Sequence, residues 1–125
     1  MIYLDTHIVV WLYAGLLDRF TESGKALLNQ NDLVLSPIVR LELQYLFEIG
    51  RILVSPDTIL SDLAGRMGLS VCDKDFNMVV SQTLKINWTR DPFDRLIVAQ
   101  ASVNENLLLT KDPVILEHYS HACRE

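Results

Sequence analysis

The stretch Arg90-Asp91-Pro92-Phe93-Asp94-Arg95-Leu96-Ile97-Val98-Ala99-Gln100-Ala101 predicts a helix with an acidic beginning. Asp91 is suited to the N-cap, and Pro92 to the first helical position, where no backbone N–H is needed. Asp94 falls at the third position, where its carboxylate could complete a capping box. Its helical face should turn toward the core. The apolar residues on that face are Ile97, Val98 and Ala101.

Asp94 therefore has two interpretations. The two acids could serve only to cap the helix and to interact favourably with its dipole. Alternatively, Asp94 points inward at the rim of the fold and belongs to a functional site. The segment by itself favours capping, and the rest of the chain shifts the balance toward a site.

The composition predicts a folded chain that forms one domain over residues 1–125. It is 50% hydrophobic, with a mean hydropathy of +0.20, and the length is sufficient for a core. The longest apolar run, residues 8–17, is about half of what a bilayer requires, so we expect no membrane span. No basic segment precedes this run, which argues against a signal peptide. The two cysteines suggest neither a metal site nor a disulfide framework, which favours a reducing cytoplasm.

The formal net charge is −5. Such a chain is not expected to bind nucleic acid tightly and nonspecifically through a basic surface. An acidic chain of this kind suits a protein that binds cations or pairs with a basic partner. The sequence contains no internal repeat, low-complexity tract or linker.

Strands alternate with helices along the chain, which predicts an α/β fold with a mostly parallel sheet and helices on both faces. Strands are predicted at residues 1–5, 32–36, 68–72 and 107–110, and the last residues either fray or add an edge strand. Helices are predicted at residues 6–14, 21–29, 37–49, 56–66, 75–86, from 92 to near 106, and 113–119.

The helix predicted after Ser36-Pro37 carries Glu42 in the middle of an apolar stripe. An unpaired glutamate that faces the core is costly, so Glu42 needs a partner. The partner is either a buried salt bridge or a metal or acid cluster at a cavity, and the helix alone does not distinguish them. The apolar stripe consists of Ile38, Tyr45, Leu46 and Ile49, and the opposite polar face of Arg40, Gln44, Glu48 and Arg51.

Four acids map to one edge of the predicted sheet, where ligands bind in folds of this kind. Asp5 ends the first strand, Asp112 follows the fourth, Glu42 follows the second, and Asp94 begins the helix that leads into the fourth. Converging carboxylates repel one another, and a divalent cation such as Mg²⁺ or Mn²⁺ would offset that repulsion. Such sites polarise phosphates and generate hydroxide from water. No P-loop, G-x-S-x-G or G-x-G-x-x-G motif offers other chemistry.

Four motifs occur in order along the chain: Leu4-Asp5-Thr6-His7, the Ser36-Pro37…Glu42 helix, residues 90–101, and Leu109-Thr110-Lys111-Asp112. Together they resemble the PIN domain, and most closely the VapC-type toxins of bacterial and archaeal toxin–antitoxin pairs. The segment around Asp94 is the most specific of them. The resemblance covers essentially the whole chain, and it implies a three-layer PIN-like α/β fold with a sheet of four to five strands.

The resemblance also implies a metal-dependent ribonuclease with Mg²⁺, or alternatively Mn²⁺, as its cofactor. Asp5, Glu42 and Asp94 match the three principal metal-binding acids of the family, and Asp112 matches its more variable fourth. These four are the expected catalytic and metal-binding residues. Asp91 is an additional acid, which we assign to capping.

Polar residues near these acids are candidates for binding an RNA substrate. The two threonines could orient water or phosphate, and the three cations could hold RNA phosphates. For the cations we favour the simpler interpretation, ordinary pairing with nearby acids at the surface. The candidates are Thr6, Arg90, Arg95, Thr110 and Lys111.

Histidines and aromatic residues near these motifs are less specific. His7 could transfer protons, but we favour a packed or hydrogen-bonded histidine at a helix start. His118 and His121 lack a third ligand, so no Zn²⁺ site is predicted. Four aromatic side chains could form a groove for a partner peptide or pack in the core, and core packing is favoured for Tyr45 only. These side chains are Trp11, Tyr13, Tyr45 and Phe47.

The resemblance further implies partners. VapC-like proteins typically form homodimers and are neutralised by a VapB-like antitoxin, whose tail commonly brings an arginine to the acids. Related chains often end in an aromatic-containing strand. This chain ends in Ala122-Cys123-Arg124-Glu125, which leaves that strand open.

Two alternative functions remain at this stage. A phosphoacceptor signalling domain would use a strand-end aspartate, Mg²⁺ and a lysine, which Thr110-Lys111 resembles, but it would not explain Glu42 and it lacks an adjacent acidic pair after the first strand. A catalytically silent binding module could retain the fold, although the presence of all four acids argues against it.

Overall fold

The computed structural model describes all 125 residues, from Met1 to Glu125. Its strands are β1 (Ile2–Leu4), β2 (Leu33–Leu35), β3 (Ser70–Val71), β4 (Leu107–Thr110) and β5 (Ala122–Arg124). They form one sheet in the order β3-β2-β1-β4-β5, and every pair of neighbours is parallel. The predicted parallel α/β architecture is therefore confirmed, and the final strand that the sequence left open is present.

Seven helices and one 3₁₀ turn connect the strands. The helices are α1 (Thr6–Ala14), α2 (Glu22–Gln30), α3 (Pro37–Glu48), α4 (Pro56–Met67), α5 (Phe76–Thr83), α6 (Pro92–Ser102) and α7 (Pro113–His118), and the 3₁₀ turn is Leu17–Arg19. None of them has the length and apolar character that crossing a membrane requires.

The N-cap predicted at Asp91 is confirmed, and four further helices have an N-cap of the same kind, because each of these side chains accepts a hydrogen bond from a backbone N–H in the first turn of its helix. They are Thr21, Ser36, Ser55, Asp75 and Asp91. The aspartates at the carboxyl ends of β1 and β4 cap α1 and α7 in the same way. Four of the seven helices have proline in the first turn, where its missing N–H costs nothing.

The sheet is covered on both faces. Ile2, Tyr3 and Leu4 in β1 are each at most 1% exposed. Because successive side chains of a strand point to opposite faces, burial of all three requires helices on both sides. The prediction of helices on both faces is confirmed.

The prediction for the core-facing side of α3 is wrong. Val39 and Leu43 are fully buried, whereas Tyr45 is 51% exposed and Ile49 is 48% exposed. The stripe that contains Glu42 therefore borders the core instead of entering it, and Tyr45 is not a core residue. The helix has two apolar stripes, and helical periodicity alone does not determine which of them the sheet covers.

Helix α5 ends at Thr83, three residues before the predicted end at Ile86. The N–H groups of Lys85 and Ile86 donate to carbonyls three residues earlier, so the chain leaves the helix in a tight turn. Ile86 is buried, and the turn is what brings its apolar side chain back to the core. An apolar residue just beyond a helix has the same pattern as one inside it, which is why the boundary was misplaced.

A buried hydrogen bond joins α3 to α6. Ser36 Oγ donates to Gln100 Oε1 at 3.0 Å, and the two residues are 3% and 4% exposed. Ser36 Oγ also accepts the N–H of Ile38 as the N-cap of α3. Since Glu42 lies on α3 and Asp94 on α6, this contact fixes the two helices that carry these acids relative to each other.

We predict that Ser36→Ala lowers the free energy of unfolding by about 2–3 kcal/mol, measured by urea denaturation. The substitution removes an N-cap and leaves the buried amide oxygen of Gln100 without its donor. Ser55→Ala is the matched control, because it removes the N-cap of α4 without burying an unpaired group, and it should cost about 1 kcal/mol. Equal losses in the two variants would contradict a stabilising role for the contact with Gln100.

Candidate active site

A polar cavity of about 470 Å³ opens at the carboxyl edge of the sheet. The structure brings all four acids singled out from the sequence into its wall, together with Asp91. No hydrophobic side chain lines it. The lining residues are Asp5, His7, Glu42, Asp91, Asp94, Lys111, Asp112 and Pro113.

Asp5 is buried at the end of β1, with 6% of its surface exposed. Its backbone N–H donates to the carbonyl of Leu109 at 3.0 Å, which extends the pairing of β1 with β4. Its carboxylate accepts the Thr110 hydroxyl at 2.6 Å and the Thr6 N–H at 2.7 Å. Desolvation raises the pKa of Asp5, and these two hydrogen bonds partly oppose that rise.

Glu42 lies in the second turn of α3, where its carboxylate accepts the Thr6 hydroxyl. Partial burial raises the pKa of Glu42, and the negative charges of Asp5 and Asp91 add to the rise. No lysine, arginine or histidine forms an ion pair with Glu42. The buried salt bridge that the sequence left open is therefore absent, and Glu42 belongs to an acid cluster.

Asp94 enters the cavity from the first turn of α6. Asp91 Oδ1 accepts the N–H groups of Phe93 and Asp94, at 2.8 and 3.3 Å. The N–H of Asp91 donates to the Thr89 hydroxyl, so the capping box considered from the sequence does not form and the Asp94 carboxylate is left for the cavity. Desolvation, followed by the surrounding negative charges, raises the pKa of Asp94 to about 7. Those charges belong to Asp91, Asp5, Asp112 and Glu42.

Asp112 and Asp91 both combine capping with a place in the cavity wall. Asp112 accepts the N–H of Val114 at 2.8 Å and so begins α7. Its own N–H donates to the hydroxyl of Thr110, which also contacts Asp5. The sequence assigned Asp91 to capping alone. Its spacing of three residues from Asp94, within the same helix start, was the signal for its place in the cavity.

The two threonines lie at the site, but their hydroxyls are already engaged. Thr110 is completely buried and bonded to Asp5, while the Thr6 hydroxyl is bonded to Glu42. Both side chains therefore hold carboxylates in place. Their expected role in orienting water or phosphate would require these hydrogen bonds to be exchanged.

The favoured prediction for the three cations, pairing with nearby acids, is wrong. Arg90 and Arg95 donate to backbone carbonyls of the loop that precedes α6, and neither lines the cavity. Lys111 does line the cavity, but its ammonium lies over the Trp11 ring, 5.3 Å from the centroid, and forms no ion pair. Each of the three cations therefore contacts an aromatic face or a backbone oxygen instead of an acid.

The histidines differ in their surroundings. His7 is exposed at the cavity rather than packed or hydrogen-bonded as favoured, and partial desolvation and the charge of Lys111 lower its pKa. His118 stacks on Trp88 with centroids 4.9 Å apart, and His121 packs edge-on against an aromatic ring.

The chemistry of the cavity fits a hard divalent cation. Its donors are carboxylate oxygens whose negative charges no side-chain cation neutralises. No three of its acidic or imidazole groups are arranged to hold an ion by themselves. Mg²⁺ usually keeps several waters and takes only one or two carboxylates directly, so the arrangement suits an ion that is bound partly through water.

Comparisons with known proteins agree with this architecture. No curated protein matches the chain. A crystal structure of VapBC2 from Rickettsia felis, bound to a DNA fragment from its promoter, has a TM-score of 0.68 and 21% identity over 100% of this chain and 98% of that one. DNA-bound VapBC from Salmonella typhimurium has a TM-score of 0.66 and 20% identity, covering 99% and 96%. A toxin–antitoxin complex from Klebsiella pneumoniae has a TM-score of 0.69 and 14% identity, covering 98% and 96%.

At these identities the structural likeness concerns the fold alone. The family match is independent of it and spans residues 2–120. Because that match covers nearly the whole chain, the chain belongs to the PIN domain family.

Proposed function

We propose that this chain is a VapC-like toxin, a metal-dependent endoribonuclease that hydrolyses RNA phosphodiester bonds. The observation that carries the proposal is the cavity, in which five carboxylates meet and none of them forms an ion pair. Membership of the PIN domain family and the fold shared with three toxin–antitoxin complexes support it.

The residues that would hold Mg²⁺, or Mn²⁺ in its place, are Asp5, Glu42, Asp94 and Asp112. The chemistry that such an ion supplies is Lewis acidity toward a phosphate oxygen and a lower pKa for water. Oxygen ligands of this kind suit both ions.

The chain itself prepares the carboxylates for this role. The Thr110 hydroxyl fixes Asp5, and the Thr6 hydroxyl fixes Glu42. Hydrogen bonds of this kind favour the ionised form of a carboxylate, so they partly offset the desolvation that would keep each acid protonated. The uncompensated negative charge would repel an RNA phosphate, so we expect RNA to enter the cavity only when the cation is bound.

The same charge suggests how the protein is controlled. The structural neighbours are described as VapBC or toxin–antitoxin complexes, and they support a VapB-like antitoxin as a partner of this chain. A guanidinium from such a partner would form charge-assisted hydrogen bonds with the free carboxylates and neutralise them. We further propose that the toxin is a homodimer.

The direct test is cleavage of a panel of tRNA, rRNA fragments and mRNA by protein purified free of any partner. Wild type should cut with Mg²⁺ and not with chelator, and Asp94→Asn should lower the rate at least roughly 100-fold, because it removes a charged ligand without changing shape. Asp62→Asn is the matched control. Asp62 is paired with Arg66 on α4 and does not line the cavity, so its variant should retain activity.

Equal cleavage by wild type and Asp94→Asn would exclude Asp94 from the reaction. Absence of cleavage by every protein, with normal binding to an antitoxin, would replace the ribonuclease with a silent binding module.

A second prediction concerns stability in chelator. The pKa of Asp94 is about 7 in the folded chain and about 3.9 when unfolded, so between these values the folded state holds a proton that the unfolded state has lost. The free energy of unfolding of wild type should therefore fall as pH rises from about 4 to about 7, and it should stay low at higher pH. The amide side chain introduced by Asp94→Asn cannot ionise. At pH 8 the melting temperature of this variant should therefore exceed that of wild type by about 2–5 °C.

Thermal unfolding at pH 4 and pH 8 measures this effect. At pH 4 the two melting temperatures should differ by only a small fraction of the gap at pH 8, because Asp94 is protonated in the folded state and only about half ionised in the unfolded state. Adding Mg²⁺ at pH 8 should raise the melting temperature of wild type more than that of the variant. Identical pH profiles for the two proteins would contradict the burial and repulsion assigned to Asp94.

A further inference from the structure

Two positively charged side chains lie beside the acidic cavity without a counter-ion. Lys111 lines the cavity, and its Nζ is 5.3 Å from the centroid of the Trp11 ring. Arg19 Cζ is also 5.3 Å from that centroid. Each cation is next to an aspartate in sequence, Asp112 and Asp18, yet neither forms an ion pair. Only three of the 11 basic residues form an ion pair, so these two cations are distinguished by the aromatic ring that they share.

The aromatic ring that both cations contact is held in place by its own neighbours. Trp11 lies on α1 one turn after His7, which lines the cavity, so both occupy the same side of the helix. The buried Phe20 packs edge-on against the ring, with centroids 5.8 Å apart and planes at 88°. Lys111, Trp11 and Arg19 therefore form a continuous feature, here named the cation rim, that begins at the cavity wall.

The cation rim is electrostatically incomplete. Attraction to an indole face is worth roughly 0.5–1 kcal/mol at an exposed site, and it does not neutralise either charge. Two like charges near one ring repel each other, and an anion that contacts both would offset that repulsion. Both cations are exposed, so such an anion has access to them from solvent.

We propose that the cation rim binds a backbone phosphate of the RNA strand, next to the phosphate that occupies the cavity. The proposal rests on the proposed ribonuclease function, since it takes the strand to enter the cavity. Lysine and arginine are the side chains that most often contact phosphate oxygens. Apart from His7 and Pro113, the remainder of the wall is acidic, so the rim would set the direction in which the strand leaves the cavity. Trp11 is a positioning residue that holds both cations.

The test measures the affinity of a fluorescein-labelled 12-nucleotide single-stranded RNA for protein with an intact cavity in Ca²⁺, which also takes oxygen ligands, under conditions in which gel analysis shows the probe uncut. Lys111→Gln and Arg19→Gln should each raise Kd roughly tenfold, since each removes a charge-assisted contact. Each should also reduce the slope of log Kd against log salt by about 0.7. With active protein, the same substitutions should raise KM and leave kcat within about threefold.

Matched controls distinguish the loss of these phosphate contacts from a change in net charge and from a change in folding. Arg51→Gln removes one exposed, unpaired positive charge beyond the far end of α3, and it should change Kd less than about twofold. Lys111→Arg should restore most of the affinity, because the charge is kept. Trp11→Leu should weaken binding roughly threefold and Trp11→Phe less, because phenylalanine still offers an aromatic face.

Three results would each overturn either the ribonuclease function or the role of the cation rim, and they can be told apart from one another. Cleavage by wild type, with Lys111→Gln and Arg19→Gln behaving like Arg51→Gln, would remove the rim and leave the ribonuclease. No cleavage by wild type, with probe binding that still depends on both cations, would remove the ribonuclease and support the rim. If Lys111→Gln and Arg19→Gln weaken the binding of a polyglutamate peptide but not the binding of RNA, the rim binds an acidic protein segment. That result would overturn the proposal.

Discussion

The pairing of β1 with β4 is the constraint on which the candidate site depends. Leu4 pairs with Leu109, and the N–H of Asp5 continues the ladder. This places a carboxylate where only 6% of its residue is exposed, in surroundings that disfavour an unpartnered charge. Thr110, the last residue of the neighbouring strand, supplies a hydroxyl but no positive charge. The cavity is thus organised around a buried acid whose charge the protein leaves unneutralised.

The other carboxylates reach this acid through helix beginnings. The start of α6 separates two tasks, because Asp91 caps the helix and Asp94 remains free. Helix N-termini favour negative charge, which offsets part of the repulsion among the acids. The pKa of Asp94, about 7, reflects the repulsion and desolvation that remain. In our proposal a divalent cation supplies the missing charge, so metal binding, stability and access of RNA to the cavity are coupled.

Local rules explain what could be predicted from the sequence. Strand order along the chain, N-caps such as Ser36, and acids at strand ends each depend on a few neighbouring residues. The buried face of α3 and the contact partner of Lys111 depend on what the folded chain brings near, so they were predicted wrongly. Lys74 shows the same limit, since its ammonium bonds to Asn106 and to the carbonyl of Gln100, both distant in sequence. The roles of the acids in metal binding stay predictions, because they concern an ion that the sequence does not contain.

The most direct test of the central claim, that the cavity holds a divalent cation, is anomalous diffraction from crystals of the protein soaked in Mn²⁺ at pH 8. We expect an anomalous peak inside the cavity, with carboxylate oxygens of at least one of Asp5, Glu42 and Asp94 about 2 Å away and water completing the coordination. The peak should vanish in Asp94→Asn crystals treated identically. A cavity without a peak at saturating Mn²⁺, or a peak only at other surface acids, would contradict a divalent-cation site in the cavity.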